Sequence, residues 1–447
     1  MMRTNPFTGE PLPAFEATDV DAQIAQLRHT QTSWRRVSIE ERCNRLLESI
    51  TYFETHREAI ASDICQEMGR PVAQARGEID GLLERARYLA SIAAETLQPE
   101  NVGEKEGFER AILHDPLGVV FIISAWNYPL LITINGVMAS LLAGNTVLLK
   151  HATQTLSIGE HFTRAFGDLI AHAVVDHAKA GHLMETRAID HVIFTGSVEA
   201  GRTVYQHAAK GLLDCQLELG GKDGAYVAAD ADVANAAATL VDGAMYNSGQ
   251  SCCGVERVYV HEDLHDRFVE HCATLIDAYV LGDPLDASTT LGPLAQASNA
   301  ALMTAQVDTA VAAGAQLIRG GKSKTVGNGT FFEPTLLTNV THDMEVMMVE
   351  NFGPILPIMG VSSDDEAIGL INDSAYGLTS IIFTASQERA EQFCESAKTG
   401  TVFMNRCDYL DPALPWTGVN ASGVGSALSK HGLLGVTRCK AKHFKLS

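Results

Sequence analysis

The chain is 447 residues long, 46% hydrophobic, and carries a formal net charge of −21. That length buries an ample core and favours two or three domains over one, while the acidic balance argues against a nucleic-acid partner. The opening Met1-Met2-Arg3-Thr4-Asn5-Pro6 lacks the apolar run of a secretory signal.

The longest apolar stretch, Leu130 to Leu149, is interrupted by Asn135, Gly136, Gly144 and Asn145, so it reads as a buried helix turning into a strand and not as a membrane span. Nine cysteines with no C-x-x-C pair suggest neither a disulfide framework nor a zinc ribbon. A cytoplasmic enzyme with reduced thiols and no metal is expected.

Apolar residues recur at helical spacing from Asp19 to about Leu97, as in Ile24, Leu27 and Trp34, then Leu46, Leu47, Ile50 and Phe53, then Leu82, Leu83, Tyr88 and Leu89, which predicts three helices. Phe108 to His114 reads as extended, and Val119 to Ile123 as a fully buried strand. Further strands are expected at Thr146 to Leu149, His191 to Thr195 and Asp214 to Leu217, with helices between, the pattern of a parallel sheet. After Gly220-Gly221 a second alternation runs through Ala225 to Val227, a helix from about Asp232 to Tyr246, then Val255 to Val260, Pro354 to Val361, Ser380 to Phe383 and Thr401 to Met404. The tail, Thr437 to Leu446, could form one more strand and, with the Phe108 segment, pair subunits.

Three local features carry chemistry. Asn247-Ser248-Gly249-Gln250-Ser251-Cys252-Cys253 is a polar turn between a helix and a strand, the kind of scaffolded loop where catalytic groups concentrate; a single free cysteine is more often an inert core residue. Glu218-Leu219-Gly220-Gly221-Lys222 puts a carboxylate at a strand end where glycines permit close approach, and its bland reading is a Glu218–Lys222 pair. Phe194-Thr195-Gly196-Ser197-Val198-Glu199-Ala200-Gly201 leads a strand through a glycine turn into a helix whose free N–H groups suit a phosphate. By itself G-x-x-x-x-G is a weak signal and differs from G-x-G-x-x-G.

In order and spacing, these features resemble the aldehyde dehydrogenase superfamily. Ala125-Trp126-Asn127-Tyr128-Pro129-Leu130, Leu148-Leu149-Lys150, Gly282-Asp283-Pro284, Leu291-Gly292-Pro293 and Glu350-Asn351-Phe352-Gly353-Pro354 extend the resemblance over nearly the whole chain. It implies an α/β fold with a Rossmann-like cofactor domain (1–97 and 117–220), an α/β catalytic domain (221–428) and a small β oligomerisation element (98–116 and 429–447). It also implies a homodimer or homotetramer that oxidises a small-molecule aldehyde to the free acid with NAD or NADP. Cys252 would be the nucleophile, Glu218 the general base and Asn127 the oxyanion donor. Trp126, Gly196 and Ser197 would lie at the pyrophosphate, Lys150 at the adenosine ribose, and Glu350 with Phe352 at the nicotinamide end. By position, Tyr128, Asn135, Ser251, Leu410 and Trp416 would line the substrate tunnel. These residue types suit thiolate attack, oxyanion stabilisation and base-assisted release of a thioester.

The sequence departs from the family pattern at several points. Ala125 replaces a proline. Thr153 stands where an acidic residue often repels a 2′-phosphate, which leaves NADP open. The Lys150 to Phe194 stretch is short and lacks a G-L-P-x-G-V turn. Arg406 is expected to pair with Asp408 or a neighbouring element rather than bind a substrate carboxylate, and His172, His177 and His182 are expected at the surface. The H-E-x-x-H of His261 to His265 matches a zinc-protease motif, but it directly follows a strand instead of lying on one helix face. A non-catalytic relative that keeps only the fold is the rival reading. It should have lost Cys252, Glu218 or Asn127, and all three are present.

Overall fold

Val119–Ile123 has no polar face because both of its faces are covered. In the computed structural model, which describes residues 3–446, it is an inner strand of a six-stranded sheet. The order from edge to edge is Gly423–Val424, Cys215–Glu218, His191–Thr195, Val119–Ile123, Thr146–Lys150 and Ile170–His172. All neighbours are parallel except Gly423–Val424, which runs antiparallel to Cys215–Glu218. The chain builds outward from Val119–Ile123 on one side and then on the other, so the topological switch point lies between it and His191–Thr195. In such sheets ligands bind outside the carboxyl ends of the strands at that point, and Trp126-Asn127 and Gly196-Ser197 leave the sheet there.

The second sheet has seven strands in the order Thr401–Met404, Thr379–Phe383, Asp223–Val227, Val255–His261, Ile355–Val361, Thr335–Thr338 and Gln316–Arg319, the last antiparallel and the rest parallel. Gly220-Gly221-Lys222 joins the carboxyl edge of the first sheet to the amino edge of the second. Cys252 and Phe352 lie just ahead of Val255–His261 and Ile355–Val361, on that same amino edge. The site therefore forms where opposite edges of two parallel sheets meet. Apart from both, Phe108–Pro116 pairs antiparallel with Thr437–Lys445 as a two-stranded ribbon, whose Phe444 is exposed.

Several expectations need correction. The first region holds five helical segments instead of three: Val20–Trp34, Ile39–Ser49, Thr51–Thr55, Arg57–Met68 and Val72–Leu97. Ser38 caps the second, and left-handed Gly69 (φ 83°) ends the fourth. The segment before Phe194 contains the edge strand Ile170–His172, which the pattern did not reveal. His172 is buried, its ring lying where a Cβ on Gly159 would come within 2.3 Å of Nε2, and burial pushes its pKa down to about 4; His177 and His182 are exposed as expected. His261 ends a strand and His265 opens a helix, so the two histidines of H-E-x-x-H do not share a helix face.

Candidate active site

Cys252 follows a turn with an uncommon backbone. Asn247 (φ 54°), Ser248 (φ 57°) and Gly249 (φ 70°) are consecutive left-handed residues, a conformation that costs energy where there is a side chain. Buried polar contacts hold it. Arg70 Nε donates to Asn247 Oδ1 at 3.0 Å, Ser248 Oγ to Gly292 O at 2.8 Å, and Asn247 Nδ2 reaches Asn127 O and Gln250 O at 3.1 Å each. Gly249 is needed for its backbone and for space, because a Cβ there would lie 2.1 Å from the Gly353 carbonyl carbon. The turn thus packs directly on the loop bearing Glu350 and Phe352.

Half-buried Cys252 lines a cavity of about 680 Å³. Tyr128, Asn135, Ser251, Leu410 and Trp416 all line it, as does Glu218. Asn127 is buried beside the Cys252 turn, where its Nδ2 donates to Gln250 O at 3.2 Å. That bond uses one of two amide hydrogens. The Cys252 N–H donates to no group among the described residues. Glu218 accepts a bond from Gln216 Nε2 at 3.1 Å, and burial pushes its carboxyl up to about 7.

Lys222 does not pair with Glu218. Its Nζ lies 2.7 Å from Glu256 Oε2, and the Glu256 carboxylate also accepts the N–H groups of Asn351 (2.9 Å) and Phe352 (3.0 Å). This pair holds the loop in which Phe352 is left-handed at φ 52°. Glu350 accepts the Gly221 N–H at 2.9 Å, its pKa raised by burial and by nearby Glu256. Trp126 and Phe352 meet edge to face at 5.6 Å, closing the two loops on each other.

The switch-point crevice fits a dinucleotide. Ser197 caps the helix Val198–Lys210, accepting from Ala200 N at 3.3 Å, and a Cβ at Gly196 would strike the Phe194 ring at 2.6 Å. Lys150 is buried at the neighbouring strand end, where burial lowers its pKa, and no carboxylate among the described residues forms an ion pair with it. An open helix N-terminus and an unpaired ammonium suit pyrophosphate and ribose. Thr153 is exposed on the turn after Lys150 and brings no negative charge.

Sequence reasoning missed the residues that align these parts. Arg70 pairs with Glu78 through Nη1, donates to Asn127 O through Nη2, and stacks 4.3 Å above the Tyr128 ring. Glu78 accepts the N–H groups of Leu130 (2.7 Å) and Leu131 (3.1 Å), which start the helix Leu131–Leu142. The available signal was a glutamate on the apolar stripe of Val72–Leu97, between Ala75 and Leu82. Two further residues lie beside the site. Cys253 is buried in the core, yet its thiol donates to Asp408 Oδ1 at 3.0 Å and borders the cavity. Arg406 leaves Asp408 alone and stacks on the Tyr409 ring at 4.2 Å.

A switch point suited to a dinucleotide, together with a cavity lined by a cysteine and a buried carboxylate, is the arrangement of an α/β oxidoreductase. The sequence profile of the Aldehyde dehydrogenase family matches residues 1–442, and the chain belongs to that family, whose members oxidise aldehydes with NAD(P)+. It is 33% identical to a succinate-semialdehyde dehydrogenase [NADP(+)] of Deinococcus radiodurans, over 98% of this chain and 93% of that one. It is 36% identical to an aldehyde dehydrogenase of Paenarthrobacter nicotinovorans, over 96% of each. Among solved structures, succinic semialdehyde dehydrogenase of Streptococcus pyogenes in complex with NADP+ superposes with a TM-score of 0.94 at 29% identity, covering 99% of both chains.

Removing Arg70 leaves a buried, uncompensated Glu78, a change that costs about 3–5 kcal/mol in comparable pairs. Arg70→Met is expected to lower the thermal midpoint by several degrees and to reduce aldehyde oxidation. A midpoint within about 1 °C of the parent would mean a loss well under the expected range, and the pair would not be what holds the site.

Proposed function

We propose that the chain converts its aldehyde to the free carboxylic acid through a thioester on Cys252. The observation that carries this reading is a thiol and a proton-affine carboxylate lining one cavity. The Cys252 thiolate adds to the aldehyde carbon, a C–S bond forms, and the carbonyl oxygen becomes an oxyanion that the spare Asn127 amide hydrogen and the Cys252 N–H can meet. Bound NAD(P)+ supplies the hydride acceptor that turns this adduct into a thioester. Trp126, Lys150, Gly196 and Ser197 would hold the dinucleotide along the crevice, with Glu350 and Phe352 at its nicotinamide end. Glu218 then takes a proton from water attacking the thioester carbon, the C–S bond breaks, and the acid leaves with the thiolate restored.

Residues 1–97 and 117–220 would serve as the cofactor domain and 221–428 as the catalytic domain. The ribbon within 98–116 and 429–447 would build a homodimer or homotetramer in the cytoplasm. No described helix is long and apolar enough to cross a membrane.

Glu218 acts as a base only when ionised, and its carboxyl loses its proton near pH 7. Steady turnover limited by thioester release should therefore rise between about pH 6 and pH 8. Glu218→Gln should give one fast burst of NAD(P)H and then slow release, and undiminished steady turnover would remove Glu218 from the mechanism.

Cys252→Ala should abolish oxidation while the dinucleotide still binds by fluorescence titration. Cys253→Ala should keep a substantial part of the activity, losing a thiol contact and some packing. A folded but dead Cys253→Ala enzyme would show that the wrong sulfur has been chosen.

With Thr153 exposed and uncharged, NADP should turn over at a measurable fraction of the NAD rate. Thr153→Glu should lower the NADP-to-NAD ratio of kcat/KM through repulsion of the 2′-phosphate. An unmoved ratio would place the 2′-hydroxyl elsewhere.

A further inference from the structure

The cavity holding Cys252 contains a cation that forms no ion pair among the described residues. Arg85 lies two turns beyond Glu78 on the same face of Val72–Leu97 and is only 7% exposed. Its Nη1 donates to two neutral acceptors, Leu131 O at 3.3 Å and Asn135 Oδ1 at 3.2 Å. Nε and Nη2 donate to no group among the described residues, and no carboxylate there forms an ion pair with it. Burying a guanidinium without an ion-pair partner is costly, so one at a cavity wall is suited to receive an anion.

No carboxylate around the same cavity meets Arg85 in an ion pair, and Glu218 acts on it only through its field. Glu78 pairs with Arg70 and Asp80 with Arg57. Glu84 accepts the Tyr409 hydroxyl, Asp408 the Cys253 thiol and Glu218 the Gln216 amide. Asp242 is exposed to solvent. In the same lining, the Tyr128 hydroxyl is buried and has no partner, which adds a second donor.

We propose that Arg85, with the Tyr128 hydroxyl, anchors a carboxylate on the substrate, so that the substrate class is a short aldehyde carrying a terminal carboxylate. This rests on the reading of Cys252 as the group that meets the aldehyde carbon. It deepens that reading by assigning the other end of the molecule. Arg85 would then be a specificity residue, since an uncharged aldehyde leaves its guanidinium unpaired in a buried site.

The test compares succinate semialdehyde with butanal on the parent, Arg85→Met and Arg85→Lys enzymes. The parent is expected to favour succinate semialdehyde in kcat/KM by more than about tenfold. Arg85→Met should cut that preference by about 10- to 100-fold, the scale of lost hydrogen bonds to a charged group, mainly through KM for the carboxylated aldehyde. Arg85→Lys should retain part of it.

A second readout needs no turnover: succinate should slow iodoacetamide labelling of Cys252 in the parent and not in Arg85→Met. A parent ratio near one, a ratio unmoved by Arg85→Met, or equal protection in both proteins would overturn the anchor. The thioester reading is judged separately by the NAD(P)H burst of Glu218→Gln with butanal. A missing burst counts against that reading, while a normal burst with an unmoved ratio counts against the anchor alone.

Discussion

The Arg70 guanidinium touches three parts of the chain that are far apart in sequence: Glu78 on the next helix, the Asn127 carbonyl after the switch-point strand, and the Asn247 side chain before Cys252. A buried ion pair is by itself weak evidence for stability, because desolvation offsets the attraction. What matters here is that the remaining donors and acceptors are used. Glu78 starts a helix with its other oxygen, and Arg70 fixes two loops with its other nitrogens. The Asn127 carbonyl and the left-handed turn at Asn247 therefore share one rigid point of attachment, and Asn127 and Cys252 inherit their spacing from it.

Lys222 and Glu256 play the same part from the second sheet. Their pair sits at the amino edge of its strands, and the spare capacity of Glu256 fixes the backbone of Asn351 and Phe352. The two networks meet where Gly249 packs against Gly353 and where Trp126 touches Phe352. Against this frame of satisfied charges, the groups with spare capacity stand out: Lys150 in the crevice, and Arg85 and the Tyr128 hydroxyl in the cavity. The charged groups of the two networks are paired, whereas Lys150 and Arg85 form no ion pair among the described residues and the Tyr128 hydroxyl has no partner.

Much of this was legible in the sequence, for identifiable reasons. Buried parallel strands such as Val119–Ile123 and Val255–His261 read as apolar runs, and the alternation with helices gave the α/β class. Cys252, Glu218 and Gly196-Ser197 stood out because each sits in a short polar or glycine-rich break at a strand end. The short strands between Gln316 and Thr338 were not legible, since Gln316–Arg319 and Ser323–Val326 are largely exposed and carry no apolar pattern. Nor were the five helical segments of the first region, where caps such as Ser38 interrupt an almost continuous periodicity. Arg70, Glu78 and Glu256 escaped because their meaning depends on partners brought together only by the fold. His172 looked like a surface histidine for the same reason: nothing local shows that a glycine on a neighbouring helix makes room for its ring.

The proton affinity of Glu218 ties the cavity's shape to its chemistry. Burial raises the carboxyl pKa, while the Gln216 amide and the field of Arg85 oppose the rise, and the balance falls at about 7. A fully solvated carboxylate would be too weak a base for water at neutral pH, and an unopposed buried one would stay protonated. The apolar lining from Leu131, Ile132, Leu410 and Trp416 thus does two things under the proposed mechanism: it accommodates the aldehyde chain and it raises the base towards neutrality. Arg85 likewise has two effects on one cavity, since the positive charge available to a substrate carboxylate also helps Glu218 to ionise. A bound carboxylate would absorb part of that field, so the proton affinity of the base and the charge of the substrate are coupled through a single guanidinium.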